Sequence, residues 1–130
     1  MTSMESEFAT RLRRLLQSVA GRAAIDWRLS PQGVSYVEVM PANPRALSFS
    51  VAWSSHEIVI GFAGADRIEL GPPDEDADLA LQAAEAILTG RGVHGRHHGT
   101  VWVALQLSGG ETLSTLPHRK VTPAGALEAY

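Results

Sequence analysis

Leu47-Ser48-Phe49-Ser50-Val51-Ala52-Trp53 is the stretch that decides the fold. Its large apolar side chains occupy every second position, with Ser48, Ser50 and Ala52 between them. Successive strand side chains point to opposite faces, so this spacing predicts a strand with one face on a core and the other open.

The flanking segments repeat the theme. Towards the N-terminus, Ile25-Asp26-Trp27-Arg28-Leu29 alternates apolar with charged residues, as a half-buried strand does. Ser30-Pro31-Gln32-Gly33 is turn chemistry, Val34 to Met40 pairs back as a hairpin, and Pro41-Ala42-Asn43-Pro44 breaks the run. Towards the C-terminus, Ile58, Ile60 and Phe62 make another inward face. Ala63-Gly64-Ala65 turns the chain, Ile68 and Leu70 continue it, and Gly71-Pro72-Pro73 ends the meander. Strands joined by such short turns pair antiparallel.

A helix brackets this meander on each side. Phe8, Leu12, Leu15, Leu16 and Val19 share one face of a helix over 3–20, with Arg11, Arg13 and Arg14 mostly off that face. Thr2-x-x-Glu5 has capping-box spacing and Gly21 is a stop. A second helix is predicted over 75–89 with Asp74 as its N-cap and Gly90 at C′. Its buried stripe is Leu79, Ala80, Ala83, Ala84, Ile87 and Leu88. Arg91 to Gly99 reads as a loop. Val101, Val103, Leu105 and Leu107 alternate as a strand, and Ser108-Gly109-Gly110 turns into another from Glu111 to Leu116.

The expected architecture is α+β: a two-layer sandwich with a mostly antiparallel sheet of about six or seven strands. Its element order is α-β5-α-β2, with both helices on one face of the sheet. Residues 1–116 form a single domain and 117–130 a weakly structured or docked tail. In this element order the chain resembles small bacterial α+β adaptor domains, such as type III secretion chaperones and some toxin-immunity proteins. That resemblance is one of fold, without a shared residue motif, and it implies protein binding.

Composition narrows the function classes. At 130 residues the chain fits one core, and 45% hydrophobic against 19% charged residues argues against global disorder. The absence of cysteine removes disulfides, thiolate nucleophiles and Cys-based zinc sites, and favours a reducing compartment. No secretory signal and no apolar run of membrane-spanning length is present, so the expected location is cytoplasmic. A net charge of −3 counts against nucleic acid as a partner. A single lysine, Lys120, beside an Ala- and Gly-rich composition suggests a GC-rich bacterial genome.

Chemistry-bearing clusters are few. His94, His97 and His98 are the metal-ligand candidates and define the alternative reading, a small metal-dependent or small-molecule-processing enzyme. A fourth ligand is missing nearby and the spacing matches no zinc motif, so no metal or other cofactor is expected. Asp74, Glu75, Asp76 and Asp78 lack an EF-hand's alternation and are accounted for by a helix start. Ser54, Ser55, His56 and Asp66 supply triad residue types without a nucleophile elbow. The glycines from Gly90 to Gly99 follow a helix, whereas phosphate loops precede one. What remains is the open face of the sheet. Strand parity places Val34, Tyr36, Met40, Val59 and Trp102 opposite the core face. The leading expectation is a non-enzymatic protein-interaction module that binds a protein partner, or a second copy, through Tyr36, Met40, Val59 and Trp102.

Overall fold

Large apolar residues at alternate positions drive the meander in the computed structural model, which describes residues 3–64, 66–115 and 123–130. Strands β1 (Ala23–Arg28), β2 (Ser35–Pro41), β3 (Phe49–Trp53), β4 (Ile58–Phe62) and β5 (Ile68–Leu70) pair in sequence order, each antiparallel to the next. One cross-strand row runs Trp27, Val37, Val51, Ile60, Ile68. Its last four members are buried, as are Phe49, Trp53, Ile58 and Phe62 on the same face. Each fully buried side chain of this kind contributes roughly 1.5–3 kcal/mol. Ser35, also buried, closes the first hairpin: its Oγ accepts from the Ser30 amide at 3.0 Å and lies 3.3 Å from the Ser30 carbonyl.

Helix α1 (Ser3–Gln17) buries Phe8, Leu12 and Leu16, and Phe8 meets Trp53 edge-on at 5.3 Å. Arg13 lies 4.8 Å above the Trp27 ring, tying the helix to the β1 edge. The helix stops three residues short of the expected Ala20. Ser18 Oγ takes the Leu15 carbonyl at 2.7 Å, and the Ser18, Val19 and Ala20 amides turn to carbonyls three residues back. Thr2 of the expected capping box lies outside the described residues.

Helix α2 (Pro73–Leu88) starts two residues earlier than the sequence suggests. Pro73 takes the first helical position, where a missing N–H costs nothing, so Pro72 rather than Asp74 is the N-cap. The acid that reaches back is Asp76, whose Oδ2 accepts from the Gly71 amide at 2.6 Å. At the other end Gly90 stands at φ 70°, Arg91 N–H bonds to Ala86 O at 2.8 Å and Gly90 N–H to Ile87 O at 3.2 Å. This is a Schellman stop with glycine at C′. Ala80, Ala83, Ala84, Ala86, Ile87 and Leu88 are all buried, a wider arc than one stripe. The alanines let α2 pack closely against α1, β4 and the second sheet at once.

That second sheet departs from the expected single layer. β6 (Gly92–His97), β7 (Thr100–Gln106), β8 (Thr112–Ser114) and β9 (Gly125–Ala126) form a separate antiparallel sheet in the order β8-β7-β6-β9. The α+β class holds, but the strands divide into sheets of five and four. The segment read as a loop from Arg91 to Gly99 is mostly β6. Positive φ at both His98 (50°) and Gly99 (80°) gives the two-residue hairpin turn whose twist suits paired strands.

Of the expected tail, residues 117–122 lie outside the described residues, and 123–130 dock on the domain. The Leu127 amide bonds to Gly92 O, and Leu127 itself is buried. Tyr130 hands its amide to Leu88 O at 3.0 Å and its hydroxyl to Leu47 O, with its ring 6.2 Å from Phe49. Burial holds the Tyr130 phenol protonated well above the usual tyrosine range.

Candidate interaction face on the first sheet

The face of β1–β5 turned away from the core is built by the alternate residues of the same strands. In register across it stand Arg28, Tyr36, Ala52, Val59 and Glu69. The next row is Asp26, Glu38, Ser50 and Gly61, and beyond it Ala24 faces Met40. Tyr36, Ala52 and Val59 are partly exposed, and Met40 is 50% exposed. Val34, at 62%, stands just before β2 at the rim. The centre is thus mostly apolar or small and the edges are charged, the anatomy of a protein-binding patch.

The floor is low because its residues are small. A Cβ on Gly61 would come within 2.7 Å of Ser50 Oγ, so this pair tolerates nothing larger without a shift. Tyr36, Glu38, Ser48, Ser50, Gly61 and Ala63 line a shallow depression of about 250 Å³. Tyr36 donates its hydroxyl to Glu38 Oε2 at 2.9 Å, which ties the ring to its same-face neighbour along β2. Partial burial, then the adjoining Glu38 carboxylate, push the Tyr36 pKa above its usual value, against smaller opposing effects of Ser50 and Arg28.

Trp102 is not part of this face. The structure corrects its placement: it lies on β7 of the other sheet and is only 3% exposed. Parity does send it away from Val103 and Leu105, but the indole folds over its cross-strand partner Gly95, 2.7 Å from where a Cβ would stand. Its Nε1 is buried without a hydrogen-bond partner among the described residues. Burial and packing on Gly95 describe a structural side chain, so Tyr36, Met40 and Val59 remain as the candidate contacts.

The three histidines do not converge. His94 and His97 are three residues apart on β6, and strand alternation sends them to opposite faces. His97 and His98 stack edge-on at 4.2 Å at the hairpin tip, while the His94 ring lies beside Gly125 of β9. Among the described residues no three His, Cys, Asp or Glu side chains gather as a metal site. His56 and Asp66 sit in the turns at opposite ends of β4, and Ser54 Oγ accepts the His56 amide at 3.1 Å as part of its own turn.

Other hollows occur, two of them larger. One of about 500 Å³ lies between the helices, lined by Leu15, Leu81 and Glu85 and crossed by the Arg11–Asp78 ion pair at 2.5 Å. Another, about 530 Å³, joins the Pro31–Val34 turn to Ser54–His56. The second also has the buried Glu5 in its wall, and the bond that joins Ser54 Oγ to His56 there comes from the His56 backbone amide, not from its ring.

The rim charges Arg28, Asp26, Arg67 and Glu69 were not singled out from the sequence. The signal for them was the same parity that found Tyr36, since each is an even-offset neighbour on an edge strand or, for Arg67, beside one. Among the described residues no helix is long and apolar enough to cross a membrane. No protein-family model, curated protein or solved structure matches the chain.

Proposed function

We propose that this chain is a non-enzymatic interaction module that holds a protein against the outer face of β1–β5, in the manner of a cytoplasmic bacterial adaptor. The observation that carries the reading is the row Arg28, Tyr36, Ala52, Val59, Glu69: an aromatic and a branched aliphatic side chain flank a small one, between opposite charges. Tyrosine at such a position buries large area for little conformational entropy. Its hydroxyl, already engaged by Glu38, keeps the ring in place for a partner. The acidic net charge supports a protein rather than a nucleic acid as that partner.

The test is a quantitative pull-down from the native organism with wild-type protein and with the Tyr36→Glu and Val59→Glu variants. Both side chains are partly exposed, so each variant is expected to melt within about 1 kcal/mol of wild type. Proteins retained by wild type and lost with both variants support the reading. Retention unchanged by both charges removes this face from the function.

A further inference from the structure

The charges around the outer face are arranged to match a copy of themselves. At the β1 edge Arg28 stands on the Tyr36 row and Asp26 on the Glu38 row. At the β5 edge the signs are reversed. Glu69 is on the Tyr36 row, and Arg67, joined to Glu69 at 2.9 Å, stands level with Gly61 by continuation of the register. Each row therefore runs from one charge to its opposite across five strands. All four side chains are more than half exposed; Arg28 lies 3.4 Å from Asp26 and Arg67 2.9 Å from Glu69, so each edge carries a surface ion pair whose members stay open to an outside charge.

Resting on the interaction-module reading, we infer that the occupant of this face is a second copy of the chain, packed sheet to sheet about a two-fold axis that runs along β3. Such an axis preserves strand direction and exchanges the two edges. Arg28 then faces Glu69 of the second copy, and Asp26 faces its Arg67. Tyr36 falls over Val59 of the second copy, and Ala52 meets itself on the axis, where a small residue lets the sheets close to the usual spacing of about 10 Å. Glu38 comes over the Gly61–Ser50 pair of the second copy, where Gly61 adds no side chain and Ser50 offers a hydroxyl. The interface is isologous, so every contact occurs twice.

Size sets the strength. Five strands about 4.8 Å apart and about five residues long give a footprint of roughly 400 Å² per copy. A standard stable interface covers about 800 Å² per partner, and Glu38 loses water without gaining a cation. The dimer is therefore weak and reversible, assembling in the micromolar range or above.

Sedimentation velocity over a concentration series, from low micromolar to near-millimolar, reads this directly. A monomer–dimer equilibrium is expected. Arg28→Glu turns two attractions into two repulsions and should raise the dissociation constant on the order of tenfold. Adding Glu69→Arg to that variant should restore association, whereas adding Asp26→Arg should not. A monomer at every concentration, a dimer indifferent to Arg28→Glu, or rescue by Asp26→Arg in place of Glu69→Arg would each overturn the inference. A monomer that still retains a Tyr36-dependent partner in the pull-down overturns the self-association and leaves the interaction reading standing. A monomer that retains none overturns both.

Discussion

At the scale of single residues the contrast between Trp102 and Tyr36 is the instructive one. Both are aromatic and both sit opposite a core face by alternation, yet Trp102 is 3% exposed and packs on Gly95 whereas Tyr36 stays partly open. Parity fixes which face of a strand a side chain takes, but it does not say what lies across from it. Gly95 is what changes the outcome: a glycine in a strand leaves a gap that a cross-strand aromatic fills. Trp102→Ala is therefore expected to cost about 3–5 kcal/mol, a large-to-small change at a buried site. Equilibrium denaturation of Trp102→Ala beside Tyr36→Glu checks the distinction. A Trp102 variant as stable as wild type would return that residue to the surface.

Among the elements, β1 to β5 and both helices were legible because each obeys one period, two or 3.6, over a whole segment. In the second sheet β7 and β8 were legible as well, from the alternation of Val101 to Leu107 and the segment after the Ser108-Gly109-Gly110 turn, whereas β6 and β9 were not. β6 contains Gly92 and Gly95 and a histidine pair at its end, a composition that favours loops, and only pairing with β7 and β9 makes it a strand. β9 is two residues long and carries no local signal. Helix ends were legible where a single residue decides them. Gly90 takes φ 70°, and a side chain there would approach the Ala129 amide nitrogen to 2.7 Å. Gly90→Ala thus carries left-handed strain and also pushes away the docked 127–130 segment. The expected result is a loss of at least about 1–2 kcal/mol, with faster hydrogen exchange at the Leu127 and Tyr130 amides than in the parent. Exchange at those amides unchanged by the substitution would separate the cap from the docking.

For the whole molecule, the class and most of the core could be read from sequence, while the division into two sheets could not. Leu12, Leu16, Phe49, Val51, Ile60, Ile87 and Val103 are all buried as their periodicity requires. What local pattern lacks is the crossing made by α2, which lies against β4 and β7 together and so starts a new sheet instead of extending the old one. The face carrying Tyr36 and Val59 was legible for the same reason as the core, being its complement on the same strands. Trp102 was misplaced because it belongs to the sheet that the pattern did not separate.

The docking of Tyr130 has a kinetic consequence. Each strand of the meander pairs with its sequence neighbour, so the first sheet assembles from short-range contacts and closes early. The Tyr130–Leu47 bond joins residues 83 apart, and Asn43 reaches Ala129 across 86, so these loops close only when nearly everything between them is in place. The segment then acts as a latch set after the barrier. Removing it with Tyr130→Ala should leave the refolding rate almost unchanged, and a loss of about 2 kcal/mol should emerge as roughly thirtyfold faster unfolding. Stopped-flow chevrons of the two proteins would show coincident folding arms and displaced unfolding arms. A slowed folding arm would instead put the latch inside the nucleus, and the order of assembly would run the other way.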